Sequence, residues 1–396
     1  MARLVFIFLL LIHGLIHLLG FIKAFELATV NELTQNTIIP LGTGLVKIMG
    51  ICWLIASLLF IISAVAYLLK KDWWWMIAAG AVLLSQWLII LYWPDAKFGT
   101  IANIIFLIVI TVAYGNWRFK ALVQQELKPF ISPVNQQPRL VTPEMLSSCP
   151  PIVQQWLNRT GIIGKEVIHS VHLKQQGQMR TKPNSKWMPV AAEQYFTIPK
   201  PGFLWLADVK AAPLVHMAGR DKYFNGRGQM LIKLLSLFPV ADARGPEIDQ
   251  GAMVRYLAET LWFPSAALQD YITWEQTGAT AARATMTYGG ITASGIFTFT
   301  PQGDVISFEA KRYYDHKTGP TLETWFISID GNSYKAFGGI RIPVKSSVTW
   351  KLPSGDFTWF KLEITAVAYN ETSAVIKPGH QINALPTPKE LYETTE

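Results

Sequence analysis

Charge is scarce in this chain and cysteine is nearly absent. Only 16% of its 396 residues are Asp, Glu, Lys or Arg, against about 25% in an ordinary soluble domain. Two cysteines are too few for a disulfide scaffold or a Cys-based zinc site. Cys52 stands in an apolar run and Cys149 in a Pro-flanked loop, so nothing suggests a bridge between them. Nucleotide and hydrolase motifs are missing too. Gly226-Arg227-Gly228 begins a G-x-G-x-x-G pattern, but position 231 is Leu, and a turn between two strands is the better reading. There is no P-loop, no G-x-S-x-G elbow and no H-E-x-x-H, the local signatures of phosphate, nucleophile and zinc chemistry. His169 and His172 lie three apart on an expected strand. They face opposite sides and cannot share a metal. No metal site and no cofactor are indicated.

The net charge is +8, but it is spread without concentration. Residues 1–120 carry eight Lys and Arg against four Asp and Glu, and the rest carry 27 against 23. With no basic arm or stripe, nucleic-acid binding has no electrostatic support.

What the chain has in excess is apolar sequence: 51% hydrophobic residues and a mean hydropathy of +0.25. Residues 1–120 hold most of it. Four runs, Leu4–Ile22, Ile48–Leu69, Trp73–Trp93 and Phe98–Trp117, reach the roughly 20 residues a helix needs to cross a bilayer. Trp73, Trp74 and Trp75 open the third run and Tyr92 and Trp93 close it, where aromatic rings anchor at an interface. The first run lacks a small-x-small cleavage site, so it reads as a span and not as a leader. The loop from Glu26 to Thr43 has no Lys or Arg, whereas Lys70 and Lys71 fill the second loop and Arg118, Lys120 and Lys128 follow the fourth run. The positive-inside rule then places both termini, the second loop and the soluble part on the cytoplasmic side of the membrane.

His13 and His17 stand at i and i+4 in the first run, on one helix face. Ionisable groups at membrane depth invite a functional reading: a cofactor ligand, a metal site or a proton relay. Hydrogen bonding to neighbouring helices is the plainer alternative.

Residues 121–150 read as a polar connector carrying Pro129, Pro133 and Pro138, and a helix is expected from Pro150–Pro151 to Gly161. From about residue 165 the pattern turns to period two. Val171 and Leu173, then Ile291, Ala293, Phe297 and Phe299, then Phe360, Leu362 and Ile364 alternate with polar residues, as half-buried strands do. Turn signals at Asn225-Gly226, Gln302-Gly303-Asp304, Asp330-Gly331-Asn332 and Pro353-Ser354-Gly355-Asp356 separate them. Nine to eleven strands in an antiparallel meander are expected over 151–370, interrupted by a helical insertion near 249–269. Residues 371–396 read as a loosely ordered tail.

Charged groups are densest in two stretches of the soluble part. They contain His216, Arg220 and Asp221, then Asp242, Arg244, Glu247 and Asp249, followed by Arg255 and Glu259. Apolar neighbours imply partial burial, hence pairing. The set is either an ion-pair network locking the insertion to the sheet or a polar rim at a cavity mouth. Trp262 and Arg312 complete the candidate ligand-binding residues. Phe203, Trp205, Trp262, Phe263, Phe297, Phe299, Phe308 and Trp359 are expected to be mostly core.

The stretch from Pro213 through Leu268 (PLVHMAGRDKYFNGRG to FPSAAL), with YGGITASGIFTFTPQGDVISFEAKRYY and FTWFKLEITAVAYN, resembles a bacterial family of membrane-anchored proteins classed only as a domain of unknown function. The likeness covers about 150–370, and HGLIHLLGFIKAF resembles that family's amino-terminal helix. The resemblance implies a membrane-attached domain similar to the lipoprotein-carrier half-barrels. It brings no reaction and no catalytic residues. The expected fold is a four-helix transmembrane region followed by a large curved antiparallel half-barrel sheet with a few helices. The expected role is membrane-tethered binding of a hydrophobic or lipid-like ligand. The alternatives are a lipid- or quinone-directed enzyme using Asp242–Glu259, a His13/His17 cofactor protein, or an interaction module for another membrane protein.

Overall fold

The computed structural model describes residues 2–29, 34, 36–132, 138–316 and 319–370; the expected tail over 371–396 lies outside the described residues. The chain forms two compact units, Met1–Ala121 and Leu122–Glu396.

The first unit is helical. It contains α1 (Ala2–Ala24), α2 (Thr43–Leu68), α3 (Trp74–Leu91), the single turn α4 (Trp93–Ala96) and the start of α5 (Gly99–Ile131). Four of these are long and apolar enough to cross a membrane. Their surface is apolar as well as their interior: Leu15, Leu83 and Leu107 are exposed, a distribution suited to lipid and not to water. Inside, Phe6 meets Tyr67, Trp74 and Phe106 edge-on. Gly20 lets α1 close on α2, since a Cβ there would lie 2.6 Å from the Trp53 ring. Arg3 donates to the carbonyls of Tyr67 and Leu68, a cation on the last turn of α2 where the helix dipole is negative.

Helix α5 continues beyond the expected end of the fourth apolar run at Trp117 and reaches Ile131. Residues 118–128 contain neither Gly nor Pro, and nothing in them stops a helix. Its residues from Leu122 onward belong to the second unit. There Glu126 pairs with Arg220 at 3.0 Å and with Lys222 at 2.6 Å, and Phe130 packs on Phe224.

The second unit then adds α6 (Pro151–Thr160), closed by Gly161 with φ +73°, as a left-handed C-cap requires. Six strands follow: β1 (Ser170–Met179), β2 (Met188–Thr197), β3 (Gly202–Ala212), β4 (Val215–Phe224), β5 (Arg227–Leu234) and β6 (Phe238–Ala243). Helix α7 (Pro246–Glu259) and two short 3-10 turns, Thr260–Trp262 and Pro264–Leu268, interrupt the strands. The second run is β7 (Ile272–Gly278), β8 (Ala281–Tyr288), β9 (Ile291–Phe299), β10 (Val305–His316) and β11 (Gly319–Ile329). It ends with β12 (Tyr334–Phe337), β13 (Ile340–Pro343), β14 (Lys345–Leu352) and β15 (Gly355–Tyr369).

Thirteen strands make one antiparallel sheet in the order β6-β5-β4-β3-β2-β1-β15-β14-β11-β10-β9-β8-β7, with β12 and β13 as a separate hairpin. The fifteen strands among the described residues exceed the nine to eleven expected, for two reasons. Strands β12 and β13 have four residues each, too few for alternation to show. Strand β3 is buried on both faces along Gly202–Ala207, so its sequence runs apolar without a period.

The sheet is a half-barrel because it must cover one helix. Helix α7 packs against β4 and β5 and also against β8, β9 and β10, which lie at opposite ends of the strand order. The β4–β5 turn consequently meets the β8–β9 turn: a Cβ on Gly289 would lie 2.9 Å from the Gly226 Cα. Trp156, Phe196, Phe203, Tyr223, Tyr256, Phe263, Phe297 and Phe308 fill the core. Of the eight aromatics noted in the sequence, all but Trp359 are buried.

Gly289 and Gly290 both have positive φ, but only Gly289 has a close neighbour. Gly290→Ala should cost the left-handed strain alone, of order 1–3 kcal/mol. Gly289→Ala should cost measurably more in denaturant unfolding. Equal losses would show that the two turns do not need their close approach.

Candidate functional site

The charged residues singled out in the sequence do not form one site, because strand periodicity separates neighbours. Arg220 and Asp221 are adjacent on β4 and therefore face opposite sides of the sheet. Arg220 faces Glu126 and donates to the Gln229 carbonyl. Burial lowers its pKa, with Glu126 opposing. Asp221 faces the concave side and accepts from Arg255 at 2.7 Å.

Asp242 and Arg244 are exposed on and just beyond β6, 3.5 Å apart. His216 Nε2 lies 3.4 Å from Ser236 Oγ, and Glu247 occupies the first turn of α7. Asp249 is buried and structural: it accepts from Arg227 at 2.8 Å and from the Gly228 N–H at 2.6 Å. It thereby ties α7 to β5 where a Gly228 Cβ would lie 2.5 Å from the Ile248 carbonyl oxygen. Trp262 is core, and its carbonyl accepts from the Tyr369 hydroxyl.

What the fold brings together is Asp221, Arg255, Glu259 and Arg312, with partners the sequence reading missed. Arg255 donates to Asp221 and, at 2.8 Å, to Glu259, and lies over the rings of Phe203 and Trp205. Gln194 donates to Glu259 at 2.7 Å, Gln175 to Gln194 at 3.1 Å, and the Trp205 indole to Gln175 at 2.9 Å. The signal for the glutamines was present: both interrupt inward-facing apolar positions, beside Leu173 and Phe196. Burial opposes the Arg255 charge, but two carboxylates outweigh it and raise its pKa. Glu259 shares that single cation with Asp221, and burial prevails, so its pKa is raised. Arg312 stands over Trp325 at 4.9 Å and Trp350 at 5.9 Å. Burial drives its pKa down to about 10, with Asp221 and Glu259 opposing and Arg255 adding.

The first unit holds the second constellation. His13 and His17 are buried on α1. The His17 Nδ1–H donates to the His13 carbonyl at 2.7 Å. On that assignment Nε2 is an acceptor, and Ser85 Oγ donates to it at 2.8 Å. Ser85 has one proton, so it accepts from Asn103 Nδ2 at 3.0 Å, and Asn103 also reaches Gln86, which reaches Thr100. A cavity of about 380 Å³ adjoins this network, lined by His13, His17, Gly20, Trp53, Tyr92 and Ala102 among others. Ser85 and Asn103 could have been noticed as polar residues inside apolar runs. Among the described residues, no group of three or more His, Cys, Asp or Glu is placed to hold a metal.

The Arg255 network generates two expectations. Arg255→Met would strand two carboxylates in the core and should cost about 3–5 kcal/mol in unfolding free energy. Glu259 has a raised folded pKa, so its contribution is full below the ordinary carboxylate value and is lost as pH rises through the folded one. Glu259→Gln should flatten that decline in a thermal-unfolding series from pH 4 to 8.

A family model described as a family of unknown function (DUF6544) matches residues 139–362, and the chain belongs to that family. No curated protein matches the chain.

Proposed function

We propose that this family member is a multi-pass protein of the bacterial inner membrane that binds a hydrophobic or lipid-like molecule inside its four-helix unit. The cavity beside His13 and His17 carries the reading. At about 380 Å³ it falls within the size range of small-molecule sites, which are mostly apolar with a few placed polar groups. In this cavity, residues such as Ile16, Leu19, Trp53, Ile89 and Phe98 supply the apolar wall, and His13, Lys23, Tyr92 and Asp95 supply polar groups. The concave face of the half-barrel supports an enclosed ligand of this size less, because α7 and the aromatic core fill much of it.

The loop charges support an orientation. The cavity is lined by the end of α1, the end of α3, α4 and the start of α5. These border the Lys/Arg-free loop after Phe25 and, by the positive-inside rule, face outward. The half-barrel then lies in the cytoplasm.

Native mass spectrometry of the full chain in mild detergent tests the binding. Wild type should retain a discrete extra mass, and Ala102→Phe, which fills the cavity, should lose it. Leu15→Phe, on an exposed position of α1, should retain it. A bare wild-type mass, or equal retention by Ala102→Phe, would sink the reading.

A further inference from the structure

Arg220, Asp249, Arg255 and Glu259 of the second unit are buried or nearly so, and each has a charged partner within 3.0 Å. Arg220 has Glu126, Asp249 has Arg227, and Arg255 has Asp221 and Glu259, so Glu259 has Arg255. Arg312 differs. It extends from β10 on the side of the buried Phe308 and Ala310, hence toward α7. A Cβ on Gly251 of α7 would lie 2.9 Å from its Nε, so the helix surface is cut back to admit the guanidinium. Its neighbours are the rings of Trp325 and Trp350, and Tyr314 packs edge-on against Trp350. Yet none of its five donors forms a hydrogen bond or ion pair with any described residue. The guanidinium is only half-buried and its nitrogens keep some solvent access, so its donors remain open to an acceptor from outside. Asp221 and Glu259 influence it only at longer range, because Arg255 already engages both.

A rigid donor fork, set among rings and lacking an acceptor, is what binds a planar carboxylate in two-point fashion. The charge count favours a monoanion. Arg255 and Arg312 face Asp221 and Glu259, so the set is balanced when all are ionised, and a dianion such as phosphate would meet two carboxylates. Rings around the fork favour an acid with an apolar body over a free ion. We propose that the Arg312 recess on the concave face of the half-barrel binds the carboxylate of an amphiphilic acid, with Trp325 and Trp350 flanking it. This site is separate from the four-helix cavity and stands or falls independently of it.

Isothermal titration of the full-length protein in nonionic detergent tests the site with three probes. Octanoate carries head and tail, octanol the tail alone, and inorganic phosphate the ion alone. Octanoate should give a saturable heat, and the other two should not. Arg312→Met should bind octanoate at least tenfold more weakly, with a thermal midpoint no lower than wild type, since it removes a charge that lacks a direct partner. Arg244→Met, at an exposed arginine, should bind as wild type does. The proposal is overturned if octanoate gives no saturable heat, if Arg312→Met binds it equally, or if octanol or phosphate alone saturates the site. Should the Met variant fail to fold, Arg312→Lys decides. It keeps the charge but loses the fork, so it must weaken octanoate binding, and wild-type affinity in it would overturn the assignment.

Discussion

The second unit depends on one packing constraint: a thirteen-strand sheet has a single concave face, and one helix must cover it. Helix α7 meets strands from both ends of the sheet, so the sheet curls until two hairpin turns touch at Gly226 and Gly289. Everything polar inside the half-barrel follows from that clasp. Helix α7 brings Arg255 and Glu259 into the core, and β4 answers with Asp221. An unpaired arginine there would cost several kcal/mol, and two glutamines and an indole complete the hydrogen bonding. The network fixes the angular setting of α7, which apolar packing alone leaves loosely specified.

Local periodicity made most of the architecture legible in the sequence. The four long apolar helices follow from the length of the apolar runs, and the alternation in β1, β9 and β15 and the helix interrupting the strands follow from spacing. Features set by long-range contact were not legible. Strand β3 looks uniformly apolar because it is buried on both sides, and β12 and β13 are too short to carry a pattern. The charged stretches were visible as a dense set, but density does not give facing. Arg220 and Asp221 are neighbours in sequence and are separated by the sheet itself. Arg255 and Arg312 are 57 positions apart in sequence yet act on the same carboxylates, a relation that only the closure around α7 creates.

The helical unit solves a similar problem in an apolar setting. Polar groups on helices whose outer surfaces are apolar are met by partners inside the bundle. The chain from His17 through Ser85 and Asn103 to Gln86 and Thr100 does this across α1, α3 and α5. Once His17 donates from Nδ1, every donor has an acceptor: Asn103 donates one way to Ser85, which donates to His17, and the other way to Gln86, which donates to Thr100. Such a chain ties three helices together whether or not anything binds beside it. The network by itself is therefore evidence of helix packing, and the functional argument rests on the cavity that adjoins it.

The same distinction orders the charged groups of the half-barrel. A closed network, in which each donor has its acceptor, is explained by stability. Asp249 belongs to this class, and Arg220 has its direct ion pair in Glu126, although the sequence made Arg220 and Asp249 look like site residues. A group whose valence is left open after the protein has folded around it is not explained that way. Arg312 is held half-buried over Trp325 and Trp350 without a direct ion pair, an arrangement that stability alone does not require. Its place is better explained by something the folded protein must still accept. That argument needs neither a motif nor a density of charge, only the balance of donors and acceptors at one position.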